Sequence, residues 1–186
     1  MNGGCSMTEQ KSAFMGSSPE RLAHMESVLA SEDLDALYAA LKLWFPLRDR
    51  NGLEYHEERF LAYEKVRVMC DFSHWGIWSK LSAPRPDSPT YLLSQEICDA
   101  LASWNLWYDC IDSYSYDNLP EIEAFQRQEN HVLDKVGIRL AFQVKQEAPE
   151  CEIYVFQENS EPCWLKVHKQ GDDFFLAPLE PGETTS

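Results

Sequence analysis

Apolar and polar positions along the chain alternate between a period near 3.6, which marks amphipathic helices, and a period of 2, which marks half-buried strands. Ser18 followed by Pro19 has the form of an N-cap with proline at the first helical position, and Leu22, Met25, Val28 and Leu29 then recur at helical spacing, so the first helix is predicted over about 19–30. Asp33 can cap a second helix whose broad apolar stripe is Leu34, Leu37, Tyr38, Leu41, Trp44 and Phe45, stopped by Pro46. An Asn51-Gly52 turn follows. The charged segment 54–64, with Phe60, Leu61 and Tyr63 interspersed, suits a short third helix. Residues 65–72 (K-V-R-V-M-C-D-F) alternate β-branched and charged side chains and read as a strand, with a helix continuing from 54 as the competing assignment.

Three prolines, Pro84, Pro86 and Pro89, make 79–90 a loop. Ser94 then caps a helix, with Glu96 in its first turn, and Ile97, Leu101, Trp104, Trp107, Tyr108 and Ile111 mark its buried face to about residue 112. From Pro120 a long stripe of Ile122, Phe125, Val132, Leu133, Val136, Leu140 and Val144 runs to near Pro149, with Gly137 permitting a close packing contact. Residues 151–156 (C-E-I-Y-V-F) form an alternating strand, and 163–168 and 174–177 flank Gly171-Asp172-Asp173 as a terminal β-hairpin. These elements predict an α+β fold: a small sheet of about four strands packed by five or so helices. They make a single domain over 18–178 with an N-terminal helical arm, between a disordered tail at 1–17 and a polar tail at 179–186. Internal repeats are not found.

Composition narrows the class. At 186 residues, 44% apolar and 12% aromatic, the chain can bury a core without covalent staples. No run of eighteen apolar residues and no signal-peptide pattern occurs, so a cytoplasmic protein is expected. The six cysteines have no CxxC pair and are expected as reduced thiols, with Cys70, Cys98 and Cys151 serving as packing groups. A net charge of −15 repels nucleic acid and anionic membranes and attracts basic partners, although acidity can also serve only solubility.

The common phosphate, cofactor, hydrolase and metal signatures are absent, and no cofactor is implied. Cys70, Asp71 and His74, with His56 and Glu57 upstream, resemble metal ligands but nothing completes a four-ligand spacing. The same Cys70, His74 and Asp71 could be drawn as nucleophile, base and orienting acid, yet sequence neighbours rarely form such a triad. Phe72, His74, Trp75, Ile77 and Trp78 surround Gly76. They could line a pocket, with His74, Trp75 and Trp78 as its polar and aromatic members, or plug the sheet end against the helix bearing Trp104 and Trp107. In the plug, Trp78 is expected to be buried and Trp75 more exposed.

The segment 107–123 (W-Y-D-C-I-D-S-Y-S-Y-D-N-L-P-E-I-E) holds Asp109, Asp112, Asp117, Glu121 and Glu123 with no basic residue, together with Tyr108, Tyr114 and Tyr116. Tyrosines offer rigid amphipathic area and a one-sign patch speeds encounter with an oppositely charged protein, so these eight residues are the candidate partner-binding site. A solvated loop whose tyrosines lean on the core is the plainer alternative.

The order D-F-S-H-W-G-I-W at 71–78, L-L-S-Q-E-I-C-D-A-L-A-S-W-N-L-W-Y-D at 92–109 and V-G-I-R-L-A-F-Q-V-K-Q-E at 136–147 leading into E-I-Y-V-F resembles small acidic bacterial proteins over about 65–157. In size and charge these are similar to the immunity proteins of interbacterial toxin systems. That resemblance implies a neutralising partner for a basic toxin. Two other classes compete. A nucleic-acid mimic inhibiting a DNA-handling system is weakened by the interspersed Arg127, Lys135, Arg139 and Lys145. An enzyme would need a site joining Asp71 and His74 to a distant His131 or Glu147.

Overall fold

The computed structural model describes residues 18–47, 60–61, 64–71, 75–78, 90–112, 120–158 and 163–183. Helix α1 spans Pro19–Ser31 and α2 spans Leu34–Trp44, each opened by the cap its sequence announces. The Ser18 hydroxyl accepts from the Arg21 amide, and the Asp33 carboxylate accepts from the amides of Asp35 and Ala36. Glu32 takes the left-handed conformation (φ 59°) that ends α1 and lets α2 begin two residues later. Helices α3 (Gln95–Asp112) and α4 (Pro120–Glu147) follow. The Ser94 hydroxyl caps the Ile97 amide, while Glu147, at the far end of α4, accepts from both the Ser94 amide and its hydroxyl at 2.7 Å.

The main sheet has five strands in the order β3-β2-β5-β6-β7, built from β2 (Lys65–Val68), β3 (Ile77–Trp78), β5 (Glu152–Gln157), β6 (Cys163–Gln170) and β7 (Asp173–Pro178). The β2–β5 pair is parallel and the others antiparallel. Val66, Val68, Ile153, Val155 and Val167 point from one face into the core, where α3 and α4 cover them. The fold is therefore α+β.

The architecture differs from expectation in detail. The described residues hold four helices rather than five or so, and the sheet has five strands rather than four. Most of the segment 54–64 lies outside the described residues. Its apolar pair Phe60–Leu61 is a strand, β1, antiparallel to β4 (Tyr91–Leu92), because three scattered apolar residues fix no period and long-range pairing decides. Strand β2 stops at Val68: the Met69 amide turns to the Gly76 carbonyl, and the Asp71 amide is held by the Asn105 side chain.

After Pro178 the chain folds back onto the outer face of the sheet. There Glu183 meets the Lys166 ammonium at 2.7 Å and the Tyr154 hydroxyl at 3.0 Å. No described helix is long and apolar enough to cross a membrane.

Candidate binding site

Helix α3 is the element on which the candidate sites converge, and it meets a different neighbour on each side. Toward α4 the packing is saturated. The Trp104 indole donates to the Leu133 carbonyl (2.9 Å) and the Trp107 indole to the buried Glu129 carboxylate (2.8 Å). A Cβ at Gly137 would collide with the Trp104 ring, so glycine is what permits that indole to lie against α4, as the sequence suggests.

These two bonds step forward along α3 and backward along α4, so the helices are antiparallel. The C-terminus of α3 and the N-terminus of α4 consequently share one end of the hairpin. Asp112 is the last residue of α3, and Glu121 lies in the first turn of α4. Glu123 is exposed, Asp109 is half-buried, and Tyr108 packs half-buried against the core. Tyr114, Tyr116 and Asp117 lie outside the described residues.

The aromatic cluster after β2 behaves as a plug, with the two tryptophans exchanged relative to expectation. Ile77 pairs with Val68 on the helix side of the sheet, so Trp78 lands on the outer face across from Arg67 and is half-buried. Gly76, at φ 91°, packs against the Leu101 carbonyl and the Trp104 ring, and Trp75 beside it is only 4% exposed. His74 lies outside the described residues. The Cys70 thiol is pushed up by burial and then by Asp109 and other carboxylates, which disfavours the thiolate a nucleophile or metal ligand needs. Glu147 is committed to capping α3. Among the described residues no three His, Cys, Asp or Glu side chains gather to hold a metal ion, and the five described cysteines are free thiols.

Toward α2 the contact is partial: Phe45, directly after α2, packs on Trp107, and alongside that contact the surface of α3 is open. A cleft of about 490 Å³ lies between Asp35, Tyr38, Ala39 and Lys42 of α2, the following Pro46 and Leu47, and Glu96, Asp99, Ala100 and Ser103 of α3. Each helix contributes positions i, i+3, i+4 and i+7, one continuous stripe. Small residues, Ala39 of α2 and Ala100 and Ser103 of α3, form part of its lining. The Tyr38 hydroxyl is pushed well up by burial, then by Glu147, Glu96 and Asp35, so it remains a neutral donor. Tyr38 lies near Glu96, and farther along both helices Phe45 stacks on Trp107 at 5.1 Å, so the two stripes run in the same direction.

Nothing local in the sequence marks this cleft: Tyr38 falls within an apolar stripe and Glu96 in the first turn of a capped helix, and the available signal is the matched spacing of small and acidic residues on two helices.

No family model matches the chain, and no curated protein or solved structure matches it either.

Proposed function

We propose that the chain is an acidic binding module for a basic protein, and that it serves in the cytoplasm as the neutralising partner of an interbacterial toxin. The observation that carries this reading is the composition of the end shared by α3 and α4. The last turn of α3 contains Asp109 and Asp112 and no basic residue. Acidic residues in the last turn belong to the negative end of the helix dipole, an arrangement that costs a helix about 0.3–1 kcal/mol per charge. Glu121 and Glu123, from α4, add to the same end. A charge arrangement that weakens its own helix is what a surface selected for a cationic partner would retain.

The test is binding to a partner captured from the native cell and to the product of an adjacent gene. The parent should bind with one-to-one stoichiometry and weaken steeply with salt. The triple reversal Asp112→Lys, Asp117→Lys, Glu121→Lys should lower affinity by about 100-fold or more, since each reversal turns attraction into like-charge repulsion. Unchanged binding by the reversed protein refutes the site.

A further inference from the structure

The geometry points to a second interface: we infer that the free edge of β7 pairs, antiparallel and about a twofold axis at Phe175, with the same strand of a second copy of this chain. The inference is independent of the proposed toxin partner. Strand β7 packs at Phe142, near the C-terminal end of α4, whereas the proposed partner site lies at the N-terminal end of that helix.

Strand β7 ends the sheet order, and among the described residues nothing bonds to the main chain along its outer edge. The hairpin fixes which groups face that edge. Gly171, at φ 64°, and Asp172 form a two-residue turn between the paired Gln170 and Asp173. The pair flanking such a turn exchanges both hydrogen bonds and the ladder alternates from there. His168 with Phe175 and Lys166 with Ala177 are therefore bonded pairs, while Phe174 and Leu176 turn their N–H and C=O groups outward. Edge strands are ordinarily blunted by a lysine, a bulge, a proline or a covering segment. Here residues 174–177 carry no charge, the proline comes only at the end of the strand, and the segment after Pro178 turns inward to Lys166 and Tyr154.

A strand of the same sequence fits this edge because the edge is self-complementary. A twofold axis normal to the sheet keeps each side chain on its own face, so the axis falls on a residue. Centred on Phe175, it sets Phe174 of each copy opposite Leu176 of the other and satisfies all four outward N–H groups and their carbonyls. Centred on Leu176, it leaves the Phe174 carbonyl facing Pro178, which has no N–H to give. On the outer face Phe175 is 45% exposed and stacks on His168 at 5.1 Å. Two such residues at a non-bonded pair, with Cα atoms about 4.5 Å apart, complete a row of four rings with a histidine at each end. On the inner face Phe174, already stacked on Phe142, gains a Leu176 beside it. Charge agrees with this register: Asp173 opposes Ala177, and the two Asp173 residues stand about 13 Å apart along the strand direction.

The experiment is sedimentation equilibrium of the full chain from about 5 to about 500 µM, the range of a small interface. A monomer–dimer equilibrium is expected. It should tighten by about threefold or more between about 50 and about 500 mM salt, since each copy carries a charge of −15. Binding of a basic partner responds to salt in the opposite direction. Phe175→Lys sets two cations side by side at the axis and should weaken the dimer by about tenfold or more; the side chain is exposed, so the fold is kept. In a Cys5→Ser, Cys163→Ser background, Phe175→Cys should close a disulfide between copies on mild oxidation, whereas Ala177→Cys, about 13 Å from its twin, should not. A monomer at every concentration overturns the inference and leaves the edge to an extended chain of another sequence. A dimer that Phe175→Lys leaves intact, a dimer that salt weakens, or equal cross-linking at 175 and 177 overturns it as well. No reversal at Asp112 or Glu121 enters these measurements, so their failure leaves the partner-binding proposal untouched.

Discussion

One helix, α3, shows two opposite solutions to packing. On its α4 side Trp104 and Trp107 are buried, both indole N–H groups are satisfied, and a glycine admits the larger ring. On its α2 side a cleft of about 490 Å³ stays open, lined by the small residues Ala39, Ala100 and Ser103 among polar ones. The first interface specifies the fold. The second forgoes contact area that a leucine or two would have recovered, which is the usual mark of a surface kept for something else.

The contrast predicts opposite responses to the same kind of change. The largest effect belongs to Trp107→Ala, which removes a fully buried ring stacked on Phe45 and takes away the donor to the Glu129 carboxylate. A loss of about 3–5 kcal/mol is expected in urea unfolding. A loss below about 1 kcal/mol would mean that the α3–α4 seam is not tight.

Next is a matched pair of additions. Gly137→Ala adds one carbon where the Trp104 ring already stands and should cost about 1–3 kcal/mol, despite alanine's better helix propensity. Ala39→Leu adds three carbons on the cleft side and should change stability by no more than about 0.5 kcal/mol. Equal costs for the two would erase the distinction between the interfaces.

Helix positions were legible because their ends carry local chemistry. Ser18, Asp33 and Ser94 each make the capping bond their sequence context implies, and Gly137 faces the indole that needs it. The β5 strand and the β6–β7 hairpin were legible because alternation over six or more residues fixes a period. The two-residue strands β1, β3 and β4 are too short to show any period, and their pairing depends on residues distant in sequence. Trp75 and Trp78 were exchanged for the same reason, since the register of Ile77 against Val68 decides which ring faces inward. The cleft was invisible for a related one. Each stripe alone reads as an ordinary helix surface, and only the close approach of α2 to α3 makes a cavity of them.

The smallest effect concerns the outer face of the sheet, onto which the segment after Pro178 folds. Glu183 is held down to about 2 by the Lys166 ammonium, then by the Glu180 amide and the Tyr154 hydroxyl. A depressed carboxylate contributes above its ordinary value of 4.5 and loses that contribution as the pH falls from there toward about 2. Amide hydrogen exchange at Glu180 and Glu183 should therefore accelerate over that acid window while the amides of β5 stay protected. An acceleration centred near 4.5 would show that the terminal segment is not held by Lys166.

The parallel pairing of β2 with β5 also dictates an order of events during synthesis. Lys65 is directly opposite Glu152, and both long helices lie between them in the chain. The centre of the sheet cannot close until α3 and α4 have been made and have met, whereas β5, β6 and β7 are close in sequence and can zip as they emerge. The antiparallel pairing of α3 with α4, anchored by Trp104 and Trp107, is thus the step on which ribosome-bound chains would wait, with the edge of β2 that faces away from β3 left unpaired until β5 arrives.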